Sequence, residues 1–114
     1  MNNFFKNNNF FLISIFAIPA AILRWQIDKI LIVNIIGCFL LGLINSSTLS
    51  RRNKLILGFG FCGSLTTFSG WSFQLFKLIN AGLYKLFVLH SILIVILGIC
   101  AVGLGHLVSK KIIN

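Results

Sequence analysis

The chain has 114 residues, of which 58% are hydrophobic and 10% charged, and its ten Lys and Arg against one acidic residue give a net charge of +9. That much apolar surface exceeds what a small soluble core needs. The basic residues stand singly or in pairs at the ends of apolar stretches rather than along one face, so topology and lipid headgroups explain them and a nucleic-acid partner is not indicated. The cysteines Cys38, Cys62 and Cys100 fall in different stretches without Cys-x-x-Cys spacing, which points to small packing residues and away from a disulfide framework or a zinc site.

In chain order the sequence predicts four stretches, each near the roughly 20 residues that a bilayer-crossing helix requires: Phe4 to Leu23, Ile30 to Leu49, Leu55 to Phe76, and Leu86 to Val108. Residues 1–114 therefore read as one all-α, four-helix transmembrane domain. The first stretch is the weakest, because Asn7 to Asn9 interrupt its start and Pro19 lies inside it; it can begin near Phe10. A cleaved signal peptide is the competing reading, disfavoured because no small-residue cleavage site flanks a compact apolar region. The connections Arg24 to Lys29, Ser50 to Lys54 and Lys77 to Lys85 are short and polar and leave no room for a soluble domain.

Four crossings put Lys6, Arg51, Arg52, Lys54, Lys110 and Lys111 on one side of the membrane, against Arg24, Lys29, Lys77 and Lys85 on the other. The positive-inside rule then predicts that both termini are cytoplasmic. The third stretch carries the most information. Its run GFCGSLTTFSGWS, from Gly60 to Ser72, sets glycines, hydroxyls and rings where a spanning helix normally satisfies all its own backbone groups. A helix broken at mid-membrane is a candidate ion site. Cation-coupled transporters usually keep a carboxylate inside a span, and here the one acidic residue, Asp28, belongs to the first loop. An anion pathway or a structural membrane subunit remains.

Several side chains can serve such a pathway, and each has a plainer role. Asn34 offers amide donors or an interhelical packing bond. Phe68 and Trp71 are three apart on one helical face, where the positive ring edges can meet an anion or simply pack. Ser69 can donate to an ion or bond back to the preceding turn. Thr67 can support the break through its hydroxyl, Arg24 at a membrane boundary can snorkel, and His90 and His106 suit interface packing or hydrogen bonding. Glycines 98, 103 and 105 allow close helix approach. No intramembrane nucleophile is paired with a base, so no enzymatic chemistry is expected.

The run GFCGSLTTFS resembles the signature of the small bacterial fluoride channels, the Fluc or CrcB family. Arg24 and Trp25 are similar to that family's arginine-tryptophan pair ending the first helix, and NIIGCFLLG from Asn34 is similar to its asparagine-containing second-helix segment. The resemblance touches the first three stretches in order, while the fourth matches mainly by hydrophobicity. It implies antiparallel pairs of four-helix subunits with a broken third helix, a structural sodium ion at the dimer centre, and two passive fluoride pathways at the interface. By this resemblance Gly63 and Thr66 hold the sodium through their carbonyls, Asn34, Phe68, Ser69 and Trp71 line the fluoride pathway, and Arg24 stands in a vestibule. Ser64, Gly70, Trp71 and Gln74 depart from the pattern, where a second glycine, a small hydroxyl residue, phenylalanine and glutamate are usual. With the lack of an asparagine or tyrosine in the fourth stretch, these departures put at least one of the two pathways in doubt. The alternatives are a non-conducting partner subunit and, more distantly, a secondary transporter. The charge bias favours a heterodimer with a related, oppositely oriented subunit over a homodimer.

Overall fold

The computed structural model describes residues 8–27 and 29–113, and among these all regular structure is helical. In chain order it comprises α1 (Asn9–Ile27), α2 (Ile30–Ser46), α3 (Arg51–Leu55), a π-helical segment (Ile56–Cys62), the single turn α4 (Gly63–Leu65), α5 (Phe68–Asn80) and α6 (Tyr84–Ile113). The beginning of the first predicted stretch, with Lys6, and the loop carboxylate Asp28 lie outside the described residues.

The helices follow backbone signals where the predicted stretches follow apolarity, and the two differ at the ends. Helix α1 runs past Leu23 to Ile27, because nothing in Arg24, Trp25 or Gln26 breaks a helix even though the apolar run has ended. Helix α2 stops at Ser46, short of Leu49: the Ser47 amide and hydroxyl both donate to the Ile44 carbonyl, at 3.2 and 2.6 Å. Ser50 then opens α3, its hydroxyl accepting from the Asn53 amide at 3.2 Å. Helix α5 absorbs the start of the predicted Lys77 to Lys85 connection. It closes at Gly82, whose φ of 74° lets its amide reach the Ile79 carbonyl and the Leu83 amide reach that of Leu78, both at 3.0 Å. Helix α6 exceeds its predicted bounds at both ends.

Two helices, α1 and α6, are long and apolar enough to cross a membrane, and α2 is a shorter apolar helix. The 30 residues of α6 span about 45 Å at 1.5 Å per residue, more than the hydrocarbon thickness of ~30 Å. Large apolar side chains stand exposed along both long helices, among them Phe11, Ile18, Val88 and Ile99, as a lipid-facing surface requires.

Packing is set by small residues. A Cβ on Gly42 would collide with the Val102 carbonyl, and one on Gly105 with that of Phe39, so these two glycines let α2 and α6 approach backbone to backbone. Gly60 does the same for the π-helical segment against Ile13 of α1. The buried core is small and central: Ala20 from α1, Val33 from α2 and Leu65 from α4, with Ile27, Leu40 and Phe61 against it. Leu65 is fully buried, which anchors the chain immediately before its helical order is interrupted. The π-helical segment was not legible from the sequence; such segments recur at functional sites, and this one runs directly into the turn before the break.

Candidate functional site

Between α4 and α5 two residues leave the helix. Thr66 (φ −80°, ψ 155°) and Thr67 (φ −145°, ψ 118°) are extended, so the usual ladder of amide-to-carbonyl bonds four residues back is cut. Thr66 closes the first half: its amide and its hydroxyl both donate to the Cys62 carbonyl, at 3.1 and 3.0 Å. Thr67 opens the second half as the N-cap of α5, its hydroxyl oxygen accepting from the Gly70 amide at 3.2 Å. The Thr67 hydroxyl also pairs with that of Ser69 at 3.2 Å.

Two residues from other helices tie the break down. The Asn34 carboxamide on α2 pairs with the Thr67 peptide unit at both ends: Oδ1 accepts from the Thr67 amide at 2.8 Å, and Nδ2 donates to the Thr67 carbonyl at 3.2 Å. One of the two Nδ2 hydrogens is thereby used and the other is left for a further acceptor. Arg24, in the last turn of α1, donates from Nη1 to the Ser64 carbonyl at 3.1 Å. Close packing fixes the same place from below, since a Cβ on Gly37 of α2 would collide with Thr66 Cγ2.

The break opens onto a cavity of about 790 Å³, wide on one side, whose lining includes Asn34, Gly63, Thr66, Thr67, Phe68 and Trp71. Five of the seven residues named from the sequence thus face one space, both cation-site candidates included. Phe68 is 75% exposed and meets the Trp71 ring edge to face, with centroids 5.4 Å apart at 66°. The Trp71 indole N–H is buried and has no acceptor in the structure. The lining also includes Asn45, Arg51 and Lys54, and the Lys54 ammonium donates to the Asn45 carbonyl at 2.9 Å.

Arg24 and Ser69 are placed differently. Neither lines the cavity: the Arg24 guanidinium is half-buried against the break, and Ser69 is exposed beside Thr67. Thr67, left without an ion in the sequence reading, contributes three hydrogen-bonding groups to the break. Its position as the last residue before the helical run FSGWSF carried the N-cap signal. His106 pairs through Nδ1 with the Ser46 hydroxyl, joining α6 to the end of α2 away from the break.

A protein-family model described as "CrcB-like protein, Camphor Resistance (CrcB)" matches residues 11–106. A protein of Prochlorococcus marinus (strain NATL2A) named "Fluoride-specific ion channel FluC 1" is 56% identical over 107 residues, which cover 94% of each chain. A "Fluoride-specific ion channel FluC 2" of Parasynechococcus marenigrum (strain WH8102) is 38% identical, over 89% of this chain and 80% of its own. A further "Fluoride-specific ion channel FluC", from Prochlorococcus marinus (strain MIT 9301), is 36% identical over 94% of this chain and 98% of its own. The matched residues run from α1 to residue 106 in α6 and enclose the whole break, so the chain belongs to the CrcB family.

Proposed function

We propose that the chain is a subunit of a passive, fluoride-selective channel of the cell membrane that lets fluoride leave the cytoplasm and so limits its toxicity. The observation that carries this reading is 56% identity, across 94% of the chain, to a protein named as a fluoride-specific ion channel. The site's chemistry supports it: a small, strongly hydrated anion needs donors that replace water without holding it tightly, and the cavity lining brings together Asn34, which has a spare N–H, and the rings of Phe68 and Trp71. Ser69 and Arg24 belong to the same proposal as a hydroxyl on the route and a cation at its vestibule.

In the finer reading the chain crosses the membrane four times, its third crossing being the segment from α3 through α5, with both termini in the cytoplasm. Two subunits pack in opposite orientations across the cavity. The partner is a second copy or, as the charge bias favours, a related chain, and a sodium ion sits at the centre on Gly63 and Thr66 carbonyls. Oxygen donors of unwound backbone suit such a hard cation, and Gly63 and Thr66 both line the cavity. Reconstitution into liposomes, alone and with a candidate partner, tests the reading. Fluoride efflux down its gradient is the expected result. Uphill accumulation driven by a proton or sodium gradient would establish a transporter, and efflux only in the presence of a partner would favour a subunit whose own pathway, altered at Trp71 and Gln74, does not conduct.

Gly63 provides a sharper check on the dimer. A Cβ there would meet only the Gly58 carbonyl, at 3.6 Å, an ordinary contact within this chain. Gly63→Val is therefore expected to leave the helical content of the subunit intact while weakening assembly and sodium binding, read by size-exclusion chromatography in sodium and in choline. Normal sodium-dependent dimerisation of this variant would reject Gly63 as part of the cation site.

A further inference from the structure

In a continuous α-helix each carbonyl accepts from the amide four residues ahead. The Gly63 carbonyl would bond the Thr67 amide, and the Thr66 carbonyl would bond the Gly70 amide. Neither pairing is made. The Thr67 amide donates instead to Asn34 Oδ1 at 2.8 Å, and the Gly70 amide donates instead to Thr67 Oγ1 at 3.2 Å. Two side chains have each intercepted one amide, and the carbonyls left behind, beside that of Leu65, include those of the two residues on which a cation is proposed to sit.

We propose that Asn34 and Thr67 are positioning residues for the central cation, releasing the Gly63 and Thr66 carbonyls by taking over the amides that would otherwise occupy them. This rests on the cation of the channel reading and deepens it. The Ser64 carbonyl between them takes the Arg24 guanidinium at 3.1 Å, so a fixed positive group already holds that oxygen. The Cys62 carbonyl is used twice, by the Thr66 amide and hydroxyl. Side chains from α1, α2 and the break itself thus hold the Cys62 and Ser64 carbonyls and leave those of Gly63 and Thr66 for an ion.

A consequence is that Asn34 links the two ions of the channel. Its Oδ1 and one Nδ2 hydrogen lock the Thr67 peptide, and its remaining hydrogen is the donor proposed for fluoride. The two duties are separable by chemistry. Asn34→Asp keeps an oxygen to accept from the Thr67 amide, loses the donor to the Thr67 carbonyl and adds a charge that repels an anion, whereas Asn34→Leu removes the acceptor altogether.

The test uses purified full-length protein and follows its thermal unfolding midpoint across a sodium titration, with choline holding ionic strength constant, alongside fluoride efflux from liposomes. Thr67→Val removes the hydroxyl at nearly constant volume, and the uncapped Gly70 amide then favours a helical turn through residue 67 in which it would bond the Thr66 carbonyl. Its half-stabilising sodium concentration is expected to rise about tenfold or more, a loss of ~1.4 kcal/mol in binding. Thr67→Ser, which retains the acceptor, is expected to stay near the unsubstituted protein. Asn34→Leu should shift as Thr67→Val does, and Asn34→Asp should keep its sodium response while losing efflux. An unchanged sodium midpoint in either Thr67→Val or Asn34→Leu overturns the proposal, so it stays exposed even if one variant does not fold. An unsubstituted protein that conducts fluoride but is indifferent to sodium also overturns it, leaving the channel reading intact; absence of efflux with a normal sodium response sinks the channel reading alone.

Discussion

Gly37→Ala is expected to abolish fluoride efflux, and adding Thr66→Ser to it is expected to restore most of the lost flux. A Cβ at Gly37 would collide with Thr66 Cγ2, and the neighbouring Cβ of Thr66 and the carbonyl of Cys62 would lie at 3.6 and 3.7 Å, ordinary distances. The clash is therefore with one methyl group. Thr66 cannot rotate away freely, because its hydroxyl is bonded to the Cys62 carbonyl at 3.0 Å and its backbone has just left the helix. The alternative to rotation is displacement of the break, and the groups there are positioned by hydrogen bonds that weaken steeply with misalignment. Overpacking of this kind costs about 1–3 kcal/mol. Serine at position 66 retains the hydroxyl and removes the methyl, so the double variant recovers both packing and the capping bond. Because the residues are in contact, their effects should be strongly non-additive, and additive losses of efflux in a double-mutant cycle would count against this account.

The break shows what a sequence can and cannot specify. The crowding of Gly60, Gly63, Thr66 and Thr67 in an apolar run marks an interruption without reference to anything else in the chain. The N-cap at Thr67 is likewise local, a hydroxyl residue immediately before a helical run. What decides the chemistry is not local. Asn34 lies 33 residues from Thr67, and Arg24 lies 40 residues from Ser64. Sequence alone places Asn34 on a helix face and Arg24 at a helix end; it does not say that each reaches the backbone of the same short segment. The π-helical segment was hidden for another reason, since one more residue per turn leaves no distinctive pattern in a run such as ILGFGFC. Helix ends were misplaced where hydropathy set them: the predicted stretches run to Leu49 and Phe76, whereas the caps at Ser47 and Gly82 end the helices at Ser46 and Asn80, and nothing ends α1 at Leu23.

Phe68→Ile should lower fluoride efflux by about tenfold or more, equivalent to ~1.4 kcal/mol on the barrier, while leaving protein abundance and the unfolding midpoint nearly unchanged. The separation follows from where the ring sits. Phe68 is 75% exposed in the subunit and lines the cavity, so its removal costs this chain little burial. What it supplies is a ring edge with positive character, at a position fixed by an edge-to-face contact with Trp71. Isoleucine retains apolar bulk without that charge distribution, and the contact with Trp71 loses its geometry. The adjacent indole ring, which also lines the cavity, is then what remains of the aromatic wall. Trp71→Phe in the Phe68→Ile background should accordingly reduce efflux further. Efflux should be measured from liposomes holding matched amounts of assembled dimer, as this chain alone and with a complementary partner. Full efflux from Phe68→Ile in both assemblies would remove the ring from the pathway, and with it the reason for placing the route along this wall of the cavity.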